Sequence, residues 1–119
     1  MFQDIKAPGE VFSPVFSDPS RKLLWDSAQY MRKHGHVKHM LVGPEGQVCV
    51  NGALMMVIGT TNSDLIHNAI QTLVNYLGIS SYRTTWAHEL IETSHVSWNN
   101  APERTENEVI EALEGAALS

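Results

Sequence analysis

Hydrophobic positions recur with a helical period in three stretches of this chain, and in a fourth they occupy every side. Between 18 and 34, Leu23, Leu24, Ser27, Ala28 and Met31 share one face at i, i+3/i+4 and i+7/i+8 spacing. Asp18 followed by Pro19 predicts where that helix starts, with a capping side chain ahead of a residue whose φ is already helical. Gly35 predicts where it stops, since a residue without Cβ closes a helix at little steric cost. Trp25 falls well off the stripe. Either the segment before the helix covers it, or it faces a partner.

TTNSDLIHNAIQTLVNYLG is the cleanest amphipathic pattern. Leu65, Ile66, Ala69, Ile70, Leu73, Tyr76 and Leu77 form its apolar face, and Asp64, Asn68, Gln71, Thr72 and Asn75 the polar one. Asn62 or Ser63 caps it and Gly78 ends it. Near the end of the chain, Thr105-Glu106-Asn107-Glu108 has the capping-box form T-x-x-E, ahead of a stripe of Val109, Ile110, Leu113, Ala116 and Ala117. VCVNGALMMVIG, by contrast, is apolar all round and predicts a buried helix ending at Gly59. Its internal Gly52 lowers helix propensity, and a close helix crossing would be a reason for it.

The rest is less regular. HVKHMLVGPEGQVCV, 36–50, alternates weakly around a GPEG turn and has room for a short β-hairpin. In 82–93, Tyr82, Trp86, Ala87, Leu90 and Ile91 fit a helix that Thr84-Thr85 weakens. Residues 1–17, with Pro8 and Pro14 and no helical period, read as an extended N-terminal arm able to dock through Phe12 and Phe16. The expected fold is mainly α: one compact domain over 18–119 with four to five helices, up to one short hairpin, and the arm.

Composition narrows the picture. At 119 residues, 43% hydrophobic and 18% charged, the chain suits a single folded core. One cysteine permits no internal disulfide, and no signal-peptide pattern or bilayer-length apolar run is present, so a cytoplasmic location without a membrane is expected. A net charge of −5 weighs against a dedicated nucleic-acid binder. The charge is divided, however. Arg21, Lys22, Arg32, Lys33 and Lys38 cluster beside three histidines, while Glu103, Glu106, Glu108, Glu111 and Glu114 crowd the C-terminal helix. The two sets could pair within the chain or between subunits.

Two motifs, in order, carry a resemblance. Gly46-Gln-Val-Cys-Val-Asn-Gly-Ala-Leu has the form G-x-x-C-x-x-G-A-L, and Trp98-Asn-Asn-Ala-Pro-Glu-Arg-Thr-Glu-Asn-Glu-Val-Ile-Glu-Ala-Leu the form W-N-[DN]-x3-R-T-x2-E-V-I-x2-L. Over roughly 20–117 the chain resembles a family of small uncharacterised proteins of actinobacteria and their phages. The resemblance implies a family and no assigned activity. Cys49, Gly52, Trp98, Arg104 and Thr105 are its structural markers here. Asn100 stands where the family usually has Asp, and His36 where an aromatic often follows the helix-ending Gly.

Three chemistries deserve weighing. Cys49, His95 and Asn99 follow the order of a papain-like thiol hydrolase, in which a helix N-terminus activates the thiolate and Asn orients the base. Any helical protein with one Cys and several His offers such an ordering, and Cys49 equally suits a small buried residue. His34, His36 and His39 are dense enough for a metal, but they straddle Gly35 with no Cys pair or carboxylate completing a local site. The basic run could touch phosphate, yet no recognition helix accompanies it. Trp98-Asn99-Asn100 reads as a contact to a ligand or as the anchor of a final loop. The expectation is therefore a non-catalytic, macromolecule-binding accessory protein, with Trp25, Trp86, Arg21, Lys22, Arg32 and Lys33 as partner surfaces. No cofactor is implied. A protein partner (a host protein if the chain is phage-encoded) or a second copy would be bound.

Overall fold

The computed structural model describes residues 14–60, 64–79 and 94–119 in full, and the strand pairing of 83–86 with 89–92. Five helices and one hairpin follow in order: α1 Pro19–His34, α2 Val50–Ile58, α3 Asp64–Leu77, β1 Arg83–Trp86, β2 Glu89–Glu92, α4 Ser94–Asn100 and α5 Glu106–Leu118. The protein is mainly α.

Local chemistry explains the helix ends. The Asp18 carboxylate accepts from the Ser20 amide at 2.9 Å and the Ser20 hydroxyl at 2.8 Å, and these hydrogen bonds hold it below the usual carboxylate range. Gly35 closes α1 at φ 95°, its amide donating to Met31 O at 2.8 Å. At α5 both halves of the capping box form: Glu108 N donates to Thr105 Oγ1 at 3.1 Å and Thr105 N to Glu108 Oε1 at 2.8 Å.

α1 is the central helix, packed on α5, α2 and α3. Its predicted stripe is buried throughout, with Leu24, Ala28 and Met31 sealed against Leu54, Leu73, Ile110 and Leu113. Each Leu, Ile or Met side chain among them contributes about 1.5–3 kcal/mol on burial. Trp25 is buried as well, at 8% exposed, with the Phe16 ring 6.1 Å away at 45°. Phe12 and the rest of the arm to residue 13 lie outside the described residues.

The charged clusters meet within the chain. Arg32 forks onto Glu114 through Nη2–Oε1 at 2.8 Å and Nε–Oε2 at 3.2 Å, and Gln29 Nε2 donates to the same carboxylate at 2.7 Å. Arg21 Nη1 donates to Ala116 O at 3.0 Å and to Ser119 O at 2.5 Å, clamping the carbonyl end of α5. Lys22 pairs with Asp26, and Lys38 Nζ reaches the Ala101 and Pro102 carbonyls at 2.7 and 3.1 Å.

Three expectations are corrected. The hairpin lies at 83–92, pairing Arg83 with Glu92 through Trp86 with Glu89, and not at 36–50. Thr84-Thr85, β-branched side by side, favour the pleated backbone over the helix that the apolar spacing suggested. Residues 36–48 form a loop with only two isolated bridges, His36 to Val48 and Val42 to Val48. Nor is α2 buried all round: Val50, Gly52, Ala53 and Leu54 are, while Met56 is half exposed.

Candidate functional site

The loop 36–48 folds back on the first turn of α2, and α4 closes over the junction. A helix start leaves backbone donors without intrahelical partners, and here side chains and loop supply them. Cys49 is the N-cap of α2: its Sγ accepts from Gly52 N at 3.3 Å. The Val50 amide donates to Asn99 Oδ1 of α4 at 3.2 Å. Cys49 N donates to Leu41 O at 3.2 Å, drawing that carbonyl over the helix. At Gly52 an added Cβ would overlap the Leu41 carbonyl oxygen and lie 2.9 Å from its carbon. The reason for this glycine is a loop carbonyl, not a helix crossing.

Asn99, 2% exposed, is the hub. Because a backbone amide only donates, its contact with Val50 N fixes which atom is Oδ1. His36 Nε2, 2.9 Å from that same oxygen, therefore carries the proton. The Asn99 Nδ2 group donates to Asn100 Oδ1 at 2.9 Å and Val37 O at 3.4 Å. Asn100 Oδ1 also accepts from His39 N at 2.9 Å. That bond holds His39 at φ 66°, a left-handed conformation unusual for a residue with a side chain. Arg104 steadies α4 from below, its Nε donating to Trp98 O at 3.0 Å and its guanidinium 4.3 Å from the Trp98 ring centre.

A cleft of about 340 Å³ opens between these parts, lined by His39, Met40, Leu41, Cys49, Val50, Asn51, His95, Val96, Asn99 and Asn100. None of the ten is Lys, Arg, Asp or Glu. Of that lining Met40 and Leu41 are 48% and 46% exposed, and the next residue in the chain, Val42, is 44% exposed.

Cys49, His95 and Asn99 thus line one cleft, although 46 residues separate the first two in sequence. Among the described residues, the hydrogen bonds that these three side chains make run to other partners than one another. His95 Nε2 is 2.7 Å from Asn51 Oδ1, and Asn99 serves His36 and Val50. Burial pushes the Cys49 thiol up, against the opposing pull of the Gly52 and Asn51 amides. A raised thiol is protonated at neutral pH and is a poor nucleophile. Cys49→Ser should therefore keep the cap and change stability by less than about 1 kcal/mol, whereas Cys49→Ala should lose about 1 kcal/mol. Iodoacetamide at pH 7 should label the native chain at least about tenfold more slowly than the urea-unfolded chain. Fast native labelling abolished by His95→Ala would restore the nucleophile.

The other candidates are scattered. His34 stacks on Tyr30 at 4.1 Å, His36 binds Asn99 and His39 lines the cleft. Among the described residues no group of three His, Cys, Asp or Glu is placed to hold a metal. Arg21, Lys22 and Arg32 are engaged within the chain, and Lys33 is exposed. The Trp86 side chain lies outside the described residues. Asn51, Met40, Leu41 and Val96 were not expected as site residues from sequence. Their one signal was the run Met40-Leu41-Val42, apolar residues that no helical or strand period places in a core.

The chain belongs to a family of unknown function (DUF6197), whose profile covers residues 16–118. No curated protein and no solved structure matches it.

Proposed function

We propose that this chain is a non-catalytic, protein-binding accessory protein of actinobacterial or actinophage type, working in the bacterial cytoplasm. It captures its partner at the 39–42 loop and the cleft behind it. The observation that carries this reading is the exposure of Met40, Leu41 and Val42 on a loop that is otherwise rigidly held. Three consecutive large apolar side chains in water mark interaction surfaces more often than accident. Their mount is firm: the carbonyl of Leu41, the amide of His39 and the carbonyl of Val37 are each fixed by hydrogen bonds. A pre-ordered loop loses little entropy on binding. The basic face, expected as a partner surface, is a weaker candidate because most of its charges already serve α1 and α5.

A second reading, the Cys49–His95–Asn99 hydrolase, rests on their shared cleft. The raised thiol and the pairing of His95 with Asn51 weigh against it.

The test compares wild type with Met40→Lys/Leu41→Lys in capture and cross-linking from an actinobacterial lysate. Both side chains are about half exposed, so melting should shift by no more than about 2 °C. Wild type should retain a defined protein that the double variant loses at least about tenfold. Equal capture by both would remove the loop from the interface.

A further inference from the structure

The cleft's internal hydrogen bonds leave two polar atoms without a partner among the described residues. Asn100 uses only its oxygen, which accepts from Asn99 Nδ2 and His39 N. Asn51 turns its oxygen to His95 Nε2. Among the described residues neither Asn100 Nδ2 nor Asn51 Nδ2 has an acceptor, yet both side chains line the cleft. Two neutral amide donors therefore stand beside an aliphatic wall of Met40, Leu41, Val50 and Val96.

Resting on the reading of the cleft as a binding site, we propose that its ligand is an uncharged, extended peptide segment of the partner. Two of its backbone carbonyls accept from Asn51 Nδ2 and Asn100 Nδ2, and an aliphatic side chain packs on Met40, Leu41 and Val96. Electrostatics selects this class. Among the described residues no Lys or Arg lines the cleft and the chain carries −5, so a carboxylate or phosphate would lose its hydration without a compensating charge. Among the described residues no Asp or Glu lines it either, which disfavours an ammonium or guanidinium on the same ground. A nucleobase is disfavoured because such sites stack bases on aromatic rings, and no Phe, Tyr or Trp is among the lining residues. The volume, about 340 Å³, lies at the small end of ligand pockets and suits a short stretch of chain.

The variant that isolates the claim is Asn100→Asp. A carboxylate keeps both acceptor contacts of Asn100, so the loop stays in place, but it removes the donor and adds a charge to a neutral cleft. The probes are acetylated, amidated Leu-Val-Leu, Leu-Asp-Leu and Leu-Lys-Leu, followed in proton–nitrogen NMR spectra of the full chain. Leu-Val-Leu should shift the side-chain amide signals of Asn51 and Asn100 and the backbone signals of Val50 and Val96. The charged peptides should bind at least about tenfold more weakly, as should Leu-Val-Leu to Asn100→Asp, at unchanged melting temperature. Equal binding of the three peptides overturns the proposal, as does undiminished binding to Asn100→Asp. So does binding of uridine in place of Leu-Val-Leu, or silence of the cleft signals up to about 10 mM peptide. If the peptides fail while Met40→Lys/Leu41→Lys still loses its partner, the ligand chemistry is wrong and the loop interface stands.

Discussion

Gly52→Ala should be among the most damaging single-methyl changes in this protein. The added Cβ meets the backbone of Leu41, its carbonyl carbon at 2.9 Å and its oxygen closer still. A flexible side chain could swing away, but this carbonyl is held by the Cys49 amide at 3.2 Å. Relief requires lifting the 39–42 loop off α2, which breaks that bond and strips cover from Val48 and Val50, both at or near zero exposure. Alanine is otherwise the better helix former by about 1 kcal/mol. Overpacking against fixed backbone outweighs that gain, for a net loss of about 3 kcal/mol, or roughly 10–15 °C in melting temperature. Thermal unfolding of the purified variant measures it. A drop of under about 2 °C would mean that the loop moves freely, and the rigid mount proposed for Met40 and Leu41 would go with it.

Asn99→Leu carries a comparable cost through a different mechanism. Leucine has the same branching of heavy atoms as asparagine but is bulkier and offers no acceptor. The Val50 amide at the start of α2 and the His36 Nε2–H both lose their partner, and Val37 O and Asn100 Oδ1 lose a donor. A buried donor left unpaired costs about 1–3 kcal/mol. With two donors affected and partial relaxation of the half-buried His36, the loss should be about 3 kcal/mol by denaturant unfolding. The contrast with its neighbour is informative, because Asn100→Asp keeps every contact that Asn100 Oδ1 makes and should leave stability nearly unchanged. If Asn99→Leu proved as mild as Asn100→Asp, Asn99 would not be the joint that holds α4, α2 and the loop together.

The same contrast accounts for one oddity of the sequence. The resemblance drawn from the sequence led to an expectation of Asp where this chain has Asn100, which put an acidic role there in doubt. In the structure the position acts only as an acceptor toward Asn99 and His39, and either side chain supplies that. The G-x-x-C-x-x-G-A-L run becomes readable too. Cys49 caps the helix, Gly52 admits a carbonyl, and Ala53 and Leu54 are sealed in the core. Read linearly, the cysteine suggested a nucleophile or a buried hydrophobe. Its hydrogen bond to Gly52 shows a third use, as a cap.

What could be read along the chain was whatever depends on near neighbours. The Asp18-Pro19 start and Gly35 stop of α1, the amphipathic face of α3 and the Thr105–Glu108 capping box all arise from residues within a turn or two of each other. Their periods and caps are local physics, legible without knowledge of the rest of the fold. Trp25 shows where that reading ends. Its place off the stripe was plain, but its burial depended on Phe16 and on the packing around α1. The hairpin was misplaced because both 36–50 and 82–93 are weakly patterned, and tertiary pairing decided between them.

By itself, then, the sequence determined a mainly helical chain, most of its helix boundaries and its core stripes. Tertiary structure alone decided the site. The cleft joins residues from 39–41, 49–51 and 95–100, and Asn99 and His95 of α4 find hydrogen-bond partners on the loop and on α2. Pairing across such distances leaves no period in the sequence. It was the docking of α4 on the start of α2 that gave Asn99 to His36 and Val50, and Asn51 to His95.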